Sequence, residues 1–322
     1  MGPPLVSVLI ASDRVEGSLP ETLASLEGQA PPDFEVLVAS AREPPPRERS
    51  FPVRWIEVAD RNPAVRRNRA AAASNGSVLA FLDDDAVAER GWLAAGARAM
   101  EASDAAGGPD PGPDGAPFGE RLANLLLATP VIGSGVPAHE RSPRPGPVRS
   151  PHDVALCNLF LRRELFERLG GFDERLGYVG EDTDLLRRAM DSGARVVLDP
   201  AFPVRHRRRA FPAAFLAQRW RYRIKTGRLL VERPGLHDRG KIAAFLAAGF
   251  LATAASAIWG PAFLLPALAG YAALTWALSF PIWRRDPALF PAVPFAFALH
   301  HATYFAGLIF GIARGALSGA AR

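Results

Sequence analysis

The sequence predicts an α/β fold: a doubly wound, mostly parallel sheet followed by C-terminal transmembrane helices. Three observations predict it. Apolar runs of strand length alternate with helix-period segments through the N-terminal part of the chain. The segment "SVLAFLDDDAV" (Ser77 to Val87) runs from apolar residues straight into Asp83, Asp84 and Asp85, three like charges where a strand must end. From Ile242 to Trp283 the chain carries no Asp, Glu, Lys, Arg or His.

Leu5 to Ile10 reads as the first strand, closed by the polar turn "ASDR". Ser18 and Glu21 have capping-box spacing, and Leu19, Leu23 and Leu26 recur at helical intervals, so a helix starts there. "FEVLVAS" from Phe34 and "VRWIEVA" from Val53 predict the second and third strands. Asn62-Pro63 is a helix start, a cap followed by Pro at the first position, leading into "AVRRNRAAAAS" and stopped by Asn75-Gly76. The aspartate-tipped strand comes next. Ala102 to Phe118, "ASDAAGGPDPGPDGAPF", predicts a flexible surface loop, and His139 to Pro151 a second mobile one. Further on, the pattern predicts a helix near Leu122 to Leu127 and a strand near Val154 to Leu161. A helix from Arg162 to Leu169 is closed by Gly170-Gly171. Another from Glu181 to Met190 is ended by Gly193, before a strand from Arg195 to Leu198. Doubly wound sheets bind ligands beyond the carboxyl ends of their strands, where the three aspartates stand.

The 322 residues suffice for two ordinary domains. Composition divides them into a cytosolic domain, 1–235, and a membrane region with two or three apolar helices, 236–322. A membrane helix takes about 20 apolar residues, so the uncharged stretch suits two spans joined by a tight turn near Gly260-Pro261. Ala288 to Ala313 is a third candidate, broken only by His300 and His301, for which packing or interfacial roles suit better than a metal site. A buried helical hairpin in a soluble protein is the alternative. The net charge of +5 is bunched. "RHRRR" (Arg205 to Arg209) and "RWRYRIKTGR" (Arg219 to Arg228) precede the first span, and Arg284 and Arg285 follow the second. Positive-inside asymmetry places these flanks in the cytoplasm, although Arg314 and Arg322 fit less well if the third segment spans fully. Arg219, Arg221 and Arg223 suit the phosphate of a donor or lipid acceptor, and anionic headgroups suit them more simply. With Trp220 and Tyr222 among them, they argue for membrane lipids and against a nucleic-acid partner. "MGPPLVSVLIAS" has too short an apolar run and no basic residue for a secretory signal, and Val6 stands where a myristoylation motif wants Ser or Thr. The expected localisation is therefore the cell membrane, multi-pass, with the N-terminal domain on the cytoplasmic face. The single cysteine, Cys157, excludes an intramolecular disulfide and fits a reducing compartment.

Clustered carboxylates oppose folding unless something positive offsets them. Asp83 to Asp85 are either a solvated turn or the holder of a divalent cation with a phosphorylated substrate. Glu181 and Asp182, in the first turn of a predicted helix, suit the helix dipole or a general base.

In order and spacing, "VSVLIASDR", "SLPETLASLEGQ", "FEVLVAS", "AVRRNRAAAASNGSVLAFLDDDA", "LRRELFERLGGFDERL", "GEDTDLLRRAMDSGARVVLDP" and "VRH" resemble the family 2 inverting glycosyltransferases, with the nucleotide-diphospho-sugar transferase (GT-A) fold. The resemblance covers roughly Val6 to Lys225, about two thirds of the chain. It implies that Asp83 and Asp85 form an Asp-x-Asp motif holding Mg²⁺ or Mn²⁺ against the donor's diphosphate. Asp85 would ligate the ion, and Asp83 would orient ribose or ligate through water. Hard cations take carboxylate oxygens and bridge phosphates. The same resemblance assigns Ala11, Ser12, Asp13, Ser40, Arg67, Asp83 and Asp84 to the donor, and His206 to the metal or diphosphate site. Asp182 becomes the general base, with Glu181 contacting the acceptor and Asp184 in support. His206 suits a membrane surface equally well, and Arg67 suits helix packing or surface solvation equally well.

One departure matters. After "FEVLV" relatives carry an Asp that hydrogen-bonds a uracil-type base, whereas this chain has Ala39-Ser40, and Asp13 replaces a usual Asn. The nucleotide is left open. The implied function is a membrane-anchored transfer of a sugar from a nucleotide-diphospho-sugar to a lipid-linked or cell-envelope glycan acceptor, metal-dependent and inverting. A catalytically silent membrane scaffold is one alternative. A nucleotidyltransferase of the same fold is another, but "ASDRVEGS" is neither Gly-rich nor basic enough for its phosphate loop.

Overall fold

The computed structural model describes residues 6–13, 15–29, 33–43, 47–131, 133, 136–233 and 260–320, with 240, 247, 254, 257 and 258 between the last two stretches. The predicted span that begins at Ile242 lies outside the described residues except at those isolated positions, and so does Arg322. The chain forms two compact units, Met1–Asp114 with Val136–Arg207, and Gly115–Gly135 with Arg208–Arg322.

The first unit is built on an eight-stranded sheet. Its strands are β1 (Val6–Ala11), β2 (Phe34–Ser40), β3 (Val53–Glu57), β4 (Val78–Leu82), β6 (Ala105–Gly107), β7 (Gly146–Pro147), β8 (Asn158–Arg162) and β9 (Val196–Leu198). The order is β3-β2-β1-β4-β8-β6-β9-β7. The first four run parallel, β8 is antiparallel to both neighbours, β6 and β9 are parallel, and β7 closes the edge antiparallel. Side chains alternate between two covered faces. Val6, Val8, Ile10, Val36, Val38, Val78, Ala80 and Leu82 meet Leu19 and Leu23 of α1 (Leu19–Ala24) and Trp92 and Leu93 of α3 (Trp92–Ala99). Leu9, Leu37, Leu79 and Phe81 meet α2 (Pro63–Ala73), α5 (Arg163–Arg168) and α6 (Glu181–Asp191) on the other side. Burial on both faces is why these strands read as mainly apolar runs. A separate ribbon pairs β5 (Ala86–Ala88) with β10 (Val204–His206).

Three expectations are corrected here. Ser18 makes no side-chain cap, because it already has helical dihedrals (φ −81, ψ −21) and its carbonyl, not its hydroxyl, accepts from Glu21 and Thr22. The Gly/Pro-rich stretch after Ala102 is not a flexible surface loop. It supplies β6 inside the sheet and carries Asp110, which has no exposed surface. Its glycines serve close approach: a Cβ on Gly108 would lie 2.4 Å from Asn158 Nδ2 and from the Phe202 carbonyl. The stretch after His139 likewise contributes β7 to the sheet edge.

The second unit contains α4 (Phe118–Ala128), α7 (Ala213–Glu232), α8 (Pro261–Trp283) and α9 (Val293–Ala320). By length and composition alone, α8 and the helical stretch that includes α9 are apolar enough to cross a membrane. Gly260, with φ 72, stands immediately before α8, where the tight turn was expected. Leu265 and Leu268 of α8 are 74% and 60% exposed, an outward apolar face. α7 packs closely on α9 through Gly227, Gly307 and Gly311; a Cβ on Gly311 would lie 2.2 Å from the Ile224 carbonyl oxygen. Small residues spaced this way let helix backbones touch. The basic side chains of α7 stack on rings, Arg219 over Phe215 and Tyr222, and Arg223 4.0 Å from the Tyr304 centroid. His301 Nδ1 lies 2.8 Å from the Tyr271 hydroxyl, and His300 is buried against Phe215, so both histidines pack.

Candidate active site

β4 is wholly buried, and the chain emerges from the sheet at Asp83. β1 ends beside it, and buried Ser12 donates its hydroxyl to Asp84 Oδ2 at 2.6 Å. Thr22 Oγ1 donates to the Asp84 carbonyl at 3.0 Å. Asp84 is thus turned back onto the β1 loop, while Asp83 and Asp85 face other partners. Burial pushes Asp84 up to about 6; the Ser12 hydrogen bond opposes that shift, and the Asp85 and Asp83 charges add to it.

His206 reaches this rim through the ribbon. Register in the β5–β10 pair sets it opposite Ala86, which brings Nε2 to 2.9 Å from Asp85 Oδ1. Ligand atoms of Asp83, Asp85 and His206 all lie within 4.8 Å of one another. Two carboxylates and an imidazole in that space fit a hard divalent cation such as Mg²⁺ or Mn²⁺.

The second carboxylate cluster meets the first at Arg67. From α2 this guanidinium donates through Nη2 to Asp83 Oδ1 at 2.9 Å and through Nη1 to Glu181 Oε1 at 3.1 Å. Burial works against its charge, but Asp83 and Glu181 more than offset this, and its pKa is raised. α6 starts where Gly180 turns the chain with φ 90, a left-handed conformation that suits glycine. Glu181 and Asp182 therefore open the first turn. The preceding "GGFDE" segment is fastened to α2: Asn68 accepts from Phe172 N at 2.9 Å and donates to Phe172 O at 3.0 Å. Asp182 is only partly buried, and its Oδ1 accepts from Thr183 N at 2.7 Å.

Glu181, 6% exposed, behaves differently. Burial pushes it up to about 8, Asp182 adds to the shift, and Arg67 opposes it. Its unfolded value is the ordinary 4.5, so between the two the folded state holds an extra proton. That contribution to stability is fully present below the unfolded value and is lost as pH rises through the folded one. In metal-free buffer, wild type should therefore lose up to about 1.4 kcal/mol per pH unit relative to Glu181→Gln between about pH 5 and pH 8. Denaturant midpoints measured across that range test it; parallel curves for the two proteins would refute it.

The structure thus brings Ser12, Arg67, Asp83, Asp84, Asp85, Glu181, Asp182 and His206 together. Ala11 ends β1. Asp13, one residue beyond Ser12, is held by Arg61 and Arg66; the Arg61 hydrogen bond keeps its carboxyl below the usual range. Ser40 ends β2 with its hydroxyl donating to Arg42 O at 2.5 Å and accepting from Trp55 Nε1 at 3.1 Å. Asp184 pairs with Arg187 and Arg188 along its own helix.

Sequence reasoning missed Asp110, His139 and Cys157. His139 Nδ1 lies 2.6 Å from Asp110 Oδ1, and Cys157 Sγ donates to Asp110 Oδ2 at 3.0 Å. Burial pushes the Cys157 thiol up to about 12. The signal that pointed at them was weak: an Asp inside "GGPDPGPDG", which composition alone reads as loop.

Residues 78–310 match the family model described as glycosyl transferase family group 2. The chain is 31% identical over 257 residues to the succinoglycan biosynthesis protein ExoM of Rhizobium meliloti (strain 1021), covering 74% of this chain and 80% of that protein. It is 30% identical over 220 residues to the O-antigen biosynthesis protein RfbC of Myxococcus xanthus, covering 61% of this chain but only 17% of that protein's length. Among solved structures it is similar to the mannosyltransferase PcManGT from Pyrobaculum calidifontis in complex with GDP-Man and Mn²⁺. That likeness has a TM-score of 0.53 and 20% identity over 93% of this chain and 87% of the other, a likeness of fold.

Proposed function

The chain belongs to glycosyl transferase family group 2, and from that premise we propose that it transfers a sugar from a nucleotide-diphospho-sugar, with inversion, to a lipid-linked or cell-envelope glycan. The observation that carries this reading is Arg67, one buried guanidinium shared by Asp83 and Glu181, which makes the two carboxylate clusters a single site. Asp83, Asp85 and His206 would hold Mg²⁺ or Mn²⁺, which when bound neutralises charge on the departing nucleoside diphosphate. Ala11, Ser12, Asp13, Ser40 and Asp84 stand at or near the ends of β1, β2 and β4, where a doubly wound sheet receives a nucleotide. Arg67 keeps Asp83 and Glu181 in register. Asp182 takes the proton of the acceptor hydroxyl as its oxygen bonds the anomeric carbon and the bond from that carbon to the diphosphate breaks. Attack opposite the leaving group inverts the centre. Glu181, protonated near neutral pH, contacts the acceptor as a donor rather than as a base.

The glycan acceptor extends to this chain the roles of its relatives in succinoglycan and O-antigen biosynthesis, and the donor class extends the GDP-Man of PcManGT. Residues 1–235 would work on the cytoplasmic face and 236–322 in the membrane, with the basic flanks at Arg205 to Arg209 and at Arg284 and Arg285 inside. The full chain in detergent, offered UDP- and GDP-sugars with Mn²⁺, should release nucleoside diphosphate from at least one donor, and Asp85→Asn should abolish that release. A glycolipid acceptor in vesicles should serve at least as well as its soluble glycan. No release and no metal-dependent heat with any donor would favour a silent scaffold; preference for the soluble glycan would remove the membrane placement.

A further inference from the structure

His206 has two ring nitrogens, and the structure gives each a carboxylate. Nε2 lies 2.9 Å from Asp85 Oδ1, and Nδ1 lies 3.4 Å from Asp110 Oδ2. An imidazole ligates a cation only through an unprotonated nitrogen, and the hydrogen bond made by the other nitrogen decides which one that is.

Asp110 is placed for that task by rigid surroundings. It has no exposed surface. Its own N donates to Ala138 O at 2.7 Å. On either side of it, Val204 N donates to Pro109 O at 2.9 Å and His206 N donates to Pro111 O at 3.0 Å, so Asp110 lies along β10 beside the histidine. Asn158 Nδ2 fastens Pro109 O from below at 3.0 Å. The prolines flanking Asp110 contribute only acceptors here, which is what this edge requires. The carboxylate's other oxygen is 2.6 Å from His139 Nδ1.

We propose that Asp110 is the positioning residue of the cation site: it accepts the Nδ1 proton of His206 and fixes the ring so that the Nε2 lone pair faces the ion held with Asp83 and Asp85. This rests on the cation reading above, and it goes beyond it in assigning a residue outside the ligand set. A competing arrangement would put an ion among Asp110, Cys157 and His206, whose ligand atoms also lie within 4.8 Å of one another. It requires His206 to turn the Nδ1 lone pair toward Asp110, and the Nε2 proton then points at Asp85 and leaves the first site without its imidazole.

The test is Mn²⁺ titration of the full chain in detergent, read by the electron paramagnetic resonance of free Mn²⁺. Asp110→Asn should weaken Mn²⁺ binding by about 10–100-fold, the usual cost of losing a ligand's outer partner. Cys157→Ser, which keeps a donor to Asp110 Oδ2 where the thiol stood, should bind as wild type does. In a His206→Ala background the Asp110→Asn effect should vanish, since residues acting through one contact do not add. Equal Mn²⁺ affinity of wild type and Asp110→Asn, full additivity with His206→Ala, or a second Mn²⁺ lost in Cys157→Ser would each overturn the inference. Wild type that binds no Mn²⁺ would instead bring down the cation reading itself. Should Asp110→Asn fail to fold, ¹⁵N-histidine NMR of the wild type decides: a proton on His206 Nδ1 supports the assignment, and a proton on Nε2 alone refutes it.

Discussion

Asp182→Asn should lower kcat by about 10²–10⁴-fold, the range spanned by a positioned general base, while donor affinity is kept. Amide for carboxylate is nearly isosteric, and the Thr183 N–H can still be accepted by the Asn oxygen, so the first turn of α6 stays formed. What is lost is the oxygen that receives the acceptor proton in the proposed reaction. The split between turnover and donor binding distinguishes this from structural damage, because Asp83, Asp84 and Ser12 are untouched. Nucleoside diphosphate release gives kcat, and calorimetry with donor and Mn²⁺ gives affinity. Full activity in Asp182→Asn would end the assignment; equal loss of both would mean that the residue shapes the site rather than working in it.

Above about pH 8, where Glu181 is ionised as well as Asp83, Arg67→Met should destabilise the protein by about 3–5 kcal/mol, the cost of breaking a buried ion pair from one side. The Arg67 and Glu181 side chains are 10% and 8% exposed, so water cannot replace the lost charge. Asp83, at 30%, is partly screened, which points to the lower half of that range for its share. With the guanidinium gone, the carboxylates of Asp83, Asp85, Glu181 and Asp182 repel without a built-in counterion. Added Mn²⁺ should therefore raise the denaturation midpoint of Arg67→Met by more than it raises that of wild type. Arg67→Lys should recover part of the stability only, because one ammonium cannot span two carboxylates as a fork does. A wild-type midpoint for Arg67→Met, or no difference in its response to Mn²⁺, would show that the bridge is incidental.

Arg67 also shows how far the residues alone could be read. Its place in "RRN" suited donor contact and helix packing equally, and the structure puts it between Asp83 and Glu181, a contact neither reading named. Ser40 is another case. It stood where relatives carry an Asp and left the nucleotide open, and the folded chain engages its hydroxyl with Arg42 and with Trp55, fifteen residues on.

Local order was legible. Apolar runs located β1, β2 and β4, because both faces of those strands are covered and the polar residues inside β1 and β2, Ser7 and Glu35, are buried in a hydrogen bond to each other. Asn62-Pro63 marked the start of α2, and Asn62 does accept from Ala64 N at 3.0 Å, because capping is chemistry between neighbours in sequence. The three aspartates could be placed at a strand end for the same reason. The stretch after Ala102 could not be read: glycine and proline look alike to composition whether they loosen a loop or let backbones touch, and only the Asn158 and Phe202 atoms against Gly108 tell which.

By itself, then, the sequence determined β1, β2, β4 and α2, the aspartates at the end of β4, the pair opening α6 and the uncharged C-terminal segment. The tertiary structure alone decided that Asp85 meets His206, that Asp83 shares a guanidinium with Glu181, and that a buried Asp110 stands behind the histidine. These partners are far apart in the chain, and what joins them is strand order and ladder register. Those are chosen by packing summed over both faces of the sheet, a quantity that no short window of residues contains.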